Sequence, residues 1–377
     1  ALGHDLQSHD PCDATCTEDG YWGSYYTCNR EGCDYSSKID RYVEKALGHL
    51  LKHCEAKQAD CLPGWEAYDE CQREGCDYNT KVEIPANGKH SYVCDVCTTC
   101  GELNPVRYTR DGDYIYFGYW PQTLERDENV VAKLNEIAGT PPLPRDKENP
   151  YNWESHEGTT YMWQKIVIYN GTKYLGVQMN DYRASGVYSL RSYIMENGYF
   201  TGEVYWFKYE PIKWRILTTS GNSAYIMSDI ALDSFSIQPD RKGENRDGLY
   251  ADYNNSTGVP DGTFANNWEY CFLRGWLNET FYNEVFNKLQ KEIIQTTHLD
   301  NTARSSNPND YPKYYGYGEN AGKNKFADQC KDTDDKIFLL SLRDITTTAY
   351  GFNKDVLAED SARNLQATDF AKLHGAP

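Results

Sequence analysis

The sequence is poor in several things, and each shortage excludes something. Methionine is scarce, at 4 residues, and no stretch approaches the roughly 20 consecutive apolar residues that a membrane-spanning helix needs. Positive charge is also short: 38 Lys and Arg stand against 56 Asp and Glu, a formal net charge of −18. Such a chain repels phosphate backbones and anionic lipid, so neither nucleic acid nor a charged membrane surface is an expected partner. Gly-rich phosphate loops, metalloprotease helices and nucleophile elbows are missing, which removes the reason to expect an enzyme. The first 100 residues contain no Phe and only 12 residues of the set Ile, Leu, Val and Met. That is too little apolar surface to offset chain entropy, so covalent or metallic staples are expected there.

Cysteine is what that segment has. Eleven of the 13 cysteines precede Gly101. After about Val106, Phe and aliphatic runs appear and cysteine falls to Cys271 and Cys330. The composition therefore predicts a boundary near 101–107. The aromatic excess, with 32 Tyr and 9 Trp, points to β-rich structure. Within the first segment the chain repeats itself. Cys28-Asn-Arg-Glu-Gly-Cys33-Asp-Tyr matches Cys71-Gln-Arg-Glu-Gly-Cys76-Asp-Tyr, 43 residues apart. Ala-Thr-Cys16 corresponds to Ala-Asp-Cys61, Ala46-Leu-Gly-His49 to Ala86-Asn-Gly-Lys-His90, and the opening Ala1-Leu-Gly-His4 is the same signal again. Three units follow: residues 1–50, residues 51–90, and a shortened third with its linker over 91–105. The second domain is expected over 106–377.

Two chemistries fit the repeat. Zinc would take Cys16, Cys28, Cys33 and His49 from the first unit, Cys61, Cys71, Cys76 and His90 from the second, and His90, Cys94, Cys97 and Cys100 around the third. Thiolates on a tight turn plus distant ligands suit a tetrahedral ion, and the Gly before each second Cys suits the turn. Disulfides are the rival, since each full unit carries four cysteines, counting Cys12 and Cys54. A mixed solution leaves Cys12 and Cys54 outside a metal site. In all cases the role expected is structural.

Beyond 106, Tyr108–Thr123 reads as a strand pair around Asp111-Gly112, and Val130, Val131, Leu134 and Ile137 as an amphipathic helix. Strand-like stretches cover 159–168, 173–178, 202–217 and 224–227. Phe281, Val285, Phe286, Leu289 and Ile293 predict a helix over 280–294 with Asn278 as its cap. Residues 337–342 read as a buried strand and 358–374 as a final helix. Polar loops are expected over 236–263 and 300–336.

Ala14-Thr-Cys-Thr-Glu-Asp-Gly-Tyr21 and Ala46-Leu-Gly-His49 resemble a tandem repeat of large surface proteins of Gram-positive gut bacteria. Tyr114-Ile-Tyr-Phe-Gly-Tyr-Trp-Pro-Gln-Thr123, Gly202–Leu217, Asn267–Phe281 and Asp335-Lys-Ile-Phe-Leu-Leu-Ser341 resemble an uncharacterised domain of the same class. That domain is similar to the C-type-lectin-like superfold shared with formylglycine-generating enzymes. The resemblance implies an α+β fold: a C-type-lectin-like mixed domain preceded by small β-rich, Cys/His-stapled repeat modules. The superfold's closing Trp-Leu-Arg-Ser and Gly-Val-Arg-Pro patterns do not occur, which implies completion by further sequence or another chain. The absence of an initiator Met fits a removed signal peptide or a piece of something longer. Together these imply a secreted or wall-attached, non-catalytic adhesion protein whose repeats form a stalk. A glycan or a host or surface protein is its expected partner. The rivals are a self-assembling structural subunit and an oxidase-like enzyme using Cys271 and Cys330.

Candidate ligand contacts in the second domain are the aromatic residues Trp120, Trp153, Tyr314, Tyr315 and Tyr317. Calcium is a second candidate ion, at the acidic loop residues Asp240, Asp247, Asp252 and Asp261, with 331–335 a weaker case. Trp206, Trp214, Trp268 and Trp276 are read as core.

Overall fold

A computed structural model describes residues 3–143, 146–155, 162–182, 191–235, 267–301 and 331–377. The chain divides into two compact units, residues 1–91 with 98–101, and residues 92–97 with 102–377.

The first unit is built twice from one small design. In the first copy, β1 (Leu6–His9) pairs antiparallel with β3 (Tyr25–Cys28), while β2 (Gly20–Tyr21) pairs with β4 (Val43–Glu44). In the second, β5 (Leu51–Cys54) pairs with β7 (Tyr68–Cys71) and β6 (Gly64–Trp65) with β8 (Glu83–Ile84). Among the described residues of this unit, Tyr21 is the one buried hydrophobic side chain. Tyr25 and Tyr42 meet it edge-on, and the Lys38 ammonium lies 5.3 Å from its ring centre. Trp65 takes the equivalent place in the second copy, with Lys57 and Lys81 over its ring. One ring and its cations per copy are far below what a hydrophobic core needs.

The second unit begins with a short ladder of β9 (Tyr92–Val93) and β10 (Val96–Cys97). Its main body is a seven-stranded antiparallel sheet. The strands are β11 (Thr109–Asp111), β12 (Tyr114–Leu124), β13 (Glu154–Ser155), β14 (Met162–Tyr169), β15 (Thr172–Met179), β16 (Val204–Ser220) and β17 (Ser223–Ser228). Their order is β11-β12-β16-β15-β14-β13, with β17 on the far half of the long β16. Strands form within the stretches expected at 109–123, 162–168, 173–178, 202–217 and 224–227.

The sheet is covered on both faces, as strand alternation dictates. Adjacent residues part company: Met162, Leu175 and Phe207 join one core, while Trp163, Tyr174 and Trp206 join the other. Helix α1 (Glu128–Ala138) closes the second core with Leu134 and Ala138, and Asp127 caps its N-terminus by accepting from the Asn129 and Val130 amides. The first core is closed by Phe281, Tyr282, Val285 and Phe286, together with Phe370 and Leu373 of the C-terminal helix Asp369–Leu373. The architecture is mixed α+β, as expected.

Three local expectations fail. The helical segment starts earlier and stops sooner than 280–294. It runs from Phe272 through a π turn (Leu277–Phe281) to Val285, Phe286 is extended, and a new turn spans Lys288–Lys291. Asn287, not Asn278, is the cap: it forms a reciprocal capping box with Gln290. Asn278 instead lies inside the helical segment. Its side chain accepts from the Lys336 and Ile337 amides and donates to the Ile337 carbonyl. That side-chain clamp replaces sheet pairing, so residues 337–342 form no strand; only β19 (Thr333–Asp335) pairs there, with β18 (Thr297–Leu299). The final helix shrinks to five residues, because Arg363 and Asp360 hold the preceding chain in turns.

Gly176 sits opposite Trp206, and a Cβ there would stand 2.6 Å from the indole ring. Gly176→Ala is therefore expected to destabilise the second unit by about 1–3 kcal/mol, since the buried indole must shift from the Asn135 side chain it donates to. Chemical denaturation followed by tryptophan fluorescence checks this; an unchanged midpoint would contradict it.

Candidate metal centres

The hairpin register decides which cysteines meet. Leu6 faces Cys28 across the β1–β3 ladder, and the Asn29 amide donates to the Asp5 carbonyl at 2.8 Å. This brings His4, just before the first strand, beside Cys28 and Cys33. In the second copy Leu51 faces Cys71, and the Gln72 amide donates to Leu50 at 2.8 Å, which brings His49 beside Cys71 and Cys76. Each histidine thus opens a module rather than closing one.

The loop between each cysteine pair is closed by the second cysteine's amide, Cys33 to the Arg30 carbonyl at 3.0 Å and Cys76 to that of Arg73 at 3.1 Å. Gly32 and Gly75 take φ of 78° and 77° in these turns, which only glycine does without strain. Separately, the Gly48 amide donates to the Cys16 carbonyl and the Leu47 amide to Thr15, fastening Cys16 next to His49. The Asn87 amide donates to the Asp60 carbonyl in the same way, beside Cys61.

Three groups result among the described residues: Cys16, His49, Cys71 and Cys76; Cys61, His90, Cys97 and Cys100; and His4, Cys28 and Cys33. Within each, the ligand atoms lie within 4.8 Å of one another. The Cys16 and Cys71 sulfurs are 3.6 Å apart. A disulfide needs about 2.05 Å, whereas sulfurs sharing a tetrahedral zinc through bonds of about 2.3 Å stand roughly 3.8 Å apart. The spacing fits a shared ion and not a bridge, and none of the described cysteines forms a disulfide. The groups could hold a metal ion such as zinc.

Orientation is built in as well. His49 stacks on Tyr78 at 4.0 Å and His4 on Tyr35 at 4.1 Å, aiming Nδ1 at Cys76 (3.4 Å) and Cys33 (3.3 Å). Contacts of this type, outside the ligand set, fix ring direction around a metal. The electrostatics ask for a cation. Loss of water contact and the neighbouring Cys76 and Cys71 sulfurs push the Cys16 thiol up to about 11. Against the effect of desolvation, the Arg73 amide, His49 and the Leu50 amide bring Cys71 down to about 6. The Arg30 amide leads in holding Cys28 near 7.

The grouping differs from the one read along the sequence. Cys28 and Cys33 do not join Cys16 and His49, because strand pairing ties the Cys-x4-Cys loop to the histidine preceding it. Cys61 takes the place expected for Cys94. Cys94 lies in the β9–β10 turn at φ 49°, and burial pushes its thiol up to about 11. Cys12 and Cys54 belong to none of the groups; Cys54 bonds Tyr68, and Cys12 pairs through its backbone with Tyr21. His4 was not read as a ligand, although its Ala-Leu-Gly-His signal matches that of His49.

The candidate ligand contacts of the second unit fare differently. Trp120 is buried against Trp276, Phe281 and Phe370, and Trp153 is 2% exposed, donating to the Ala138 carbonyl. Both are core residues and present no binding face, a correction to the sequence reading. Tyr314, Tyr315, Tyr317, Asp240, Asp247, Asp252, Asp261 and Cys330 lie outside the described residues. In the 331–335 stretch, Asp335 is buried and neutralised by Arg274 at 2.8 Å, with Trp268 and Thr333 donating to it. Asp334 and Asp332 flank His298. Cys271 is buried, its thiol directed at the Trp268 carbonyl.

Residues 224–373 match a family model described only as a domain of unknown function, DUF6273. The match lies within the second unit and includes none of the three groups. No curated protein and no solved structure matches the chain. No helix among the described residues is long and apolar enough to cross a membrane.

Elemental analysis of the intact, reduced chain distinguishes ligands from bystanders. Cys76→Ser is expected to remove about one equivalent of tightly bound zinc, while Cys54→Ser and Cys12→Ser leave the metal content unchanged. Equal losses from all three would contradict the grouping.

Proposed function

We propose that the protein is a non-catalytic, extracellular binding protein in which the first unit is an array of zinc-stapled spacer modules. The observation that carries this is the Cys16, His49, Cys71 and Cys76 group. Three thiolates and one imidazole fill a tetrahedron, which is the closed arrangement of structural zinc; a catalytic zinc keeps a position open. The unit that holds the group has almost no apolar interior, so metal binding there is folding energy. The second unit is proposed to be the binding module, lectin-like in fold, with a glycan or a surface protein as its partner. This part, and a secreted or wall-attached location, are supported by the resemblance of 14–21, 46–49 and 202–217 to bacterial surface proteins.

The two parts are tested on the full chain. A zinc chelator is expected to make residues 1–101 protease-sensitive at once, while reductant alone leaves them resistant; the opposite pattern would reject zinc in favour of disulfides. Glycan and surface-protein arrays probed with the zinc-loaded chain test the binding role, and silence on both would reject it.

A further inference from the structure

The two four-membered groups follow one rule. A cysteine on an Ala-x-Cys segment (Ala14-Thr-Cys16, Ala59-Asp-Cys61) meets a histidine further along, 33 residues on for His49 and 29 for His90. In the first group that pair is joined by the Cys-x4-Cys loop of the following module, Cys71 and Cys76. An ion held there would therefore be shared between consecutive modules and tie one to the next.

The His4, Cys28 and Cys33 group repeats this site in detail. Its histidine stacks on a tyrosine at 4.1 Å and 18°, against 4.0 Å and 16° for His49. Its Nδ1 to sulfur distance is 3.3 Å against 3.4 Å. Its cysteine loop closes with the same amide bond and the same glycine conformation. Among the described residues it has three ligands, and neither Ala-x-Cys thiolate of the sequence, Cys16 or Cys61, joins it.

We propose that His4, Cys28 and Cys33 form a docking half-site for a further copy of the repeat, which supplies the Ala-x-Cys thiolate and locks on through a shared zinc ion. On docking, the incoming thiol releases its proton to solvent, its sulfur forms the fourth bond to zinc, and the water holding that position leaves. The modules are thereby joined end to end by metal rather than by an apolar interface. The inference rests on the zinc reading above.

The test builds the missing neighbour. Residues 1–45 are duplicated ahead of Ala1, so the copied Cys16 stands before Ala1-Leu-Gly-His4 as Cys16 stands before Ala46-Leu-Gly-His49. Cobalt(II) is titrated into the apo full chain, the duplicated chain, and the duplicated chain with Cys16→Ser in the added copy. The thiolate-to-cobalt absorption is read against a competing chelator. The original chain is expected to bind two ions tightly and a third at least about tenfold more weakly. Duplication should raise the tight class to three, and the Cys16→Ser copy should return it to two while the rest of the chain stays folded. Three tight ions in the original chain, or no gain on duplication, would overturn the inference. No tight cobalt in any of the chains would instead overturn the zinc reading beneath it.

Discussion

Sulfur spacing governs the first unit. Its strands are two to four residues long, Tyr21 is the one buried hydrophobic side chain among its described residues, and it stays ordered only if something other than apolar burial holds it. Sulfurs 3.6 Å apart, with an imidazole alongside, are too far apart to bond and too close to remain charged without a cation. A divalent ion would resolve both conditions. It would also fix module to module, because the ligands come from two copies of the repeat.

The second unit is held by the opposite means. Its sheet is apolar on both faces, with Trp206 and Phe207 buried on opposite sides and Leu134 and Phe286 sealing the two cores. Among its described residues, buried charges are paired: Glu125 accepts from Tyr174 and pairs with Lys208, and Asp335 pairs with Arg274. Removing one member of such a pair costs more than the pair itself contributes, so these contacts specify geometry rather than add stability.

Much of this was legible in the residues. The strands of the main sheet and helix α1, read from Val130, Val131, Leu134 and Ile137, follow from local patterning; of that stripe Leu134 is buried while Ile137 is exposed. The ligand residues were legible as types, but their partners were not. Which cysteine meets which histidine depends on strand register, and the pairing of Leu6 with Cys28 and of Leu51 with Cys71 is a long-range fact. The misread helix has the same origin: Asn278 looks like a cap locally, yet it is engaged by Lys336 and Ile337, nearly 60 residues away. Trp120 and Trp153, read as ligand contacts, are buried by tertiary packing that local sequence does not reveal.

Zinc-edge X-ray absorption on the intact, reduced protein tests the central claim most directly. The account predicts a first shell dominated by sulfur at about 2.3 Å with a minor imidazole nitrogen component. A shell of oxygen alone, or protein that retains no zinc while its cysteines are bridged, would contradict it.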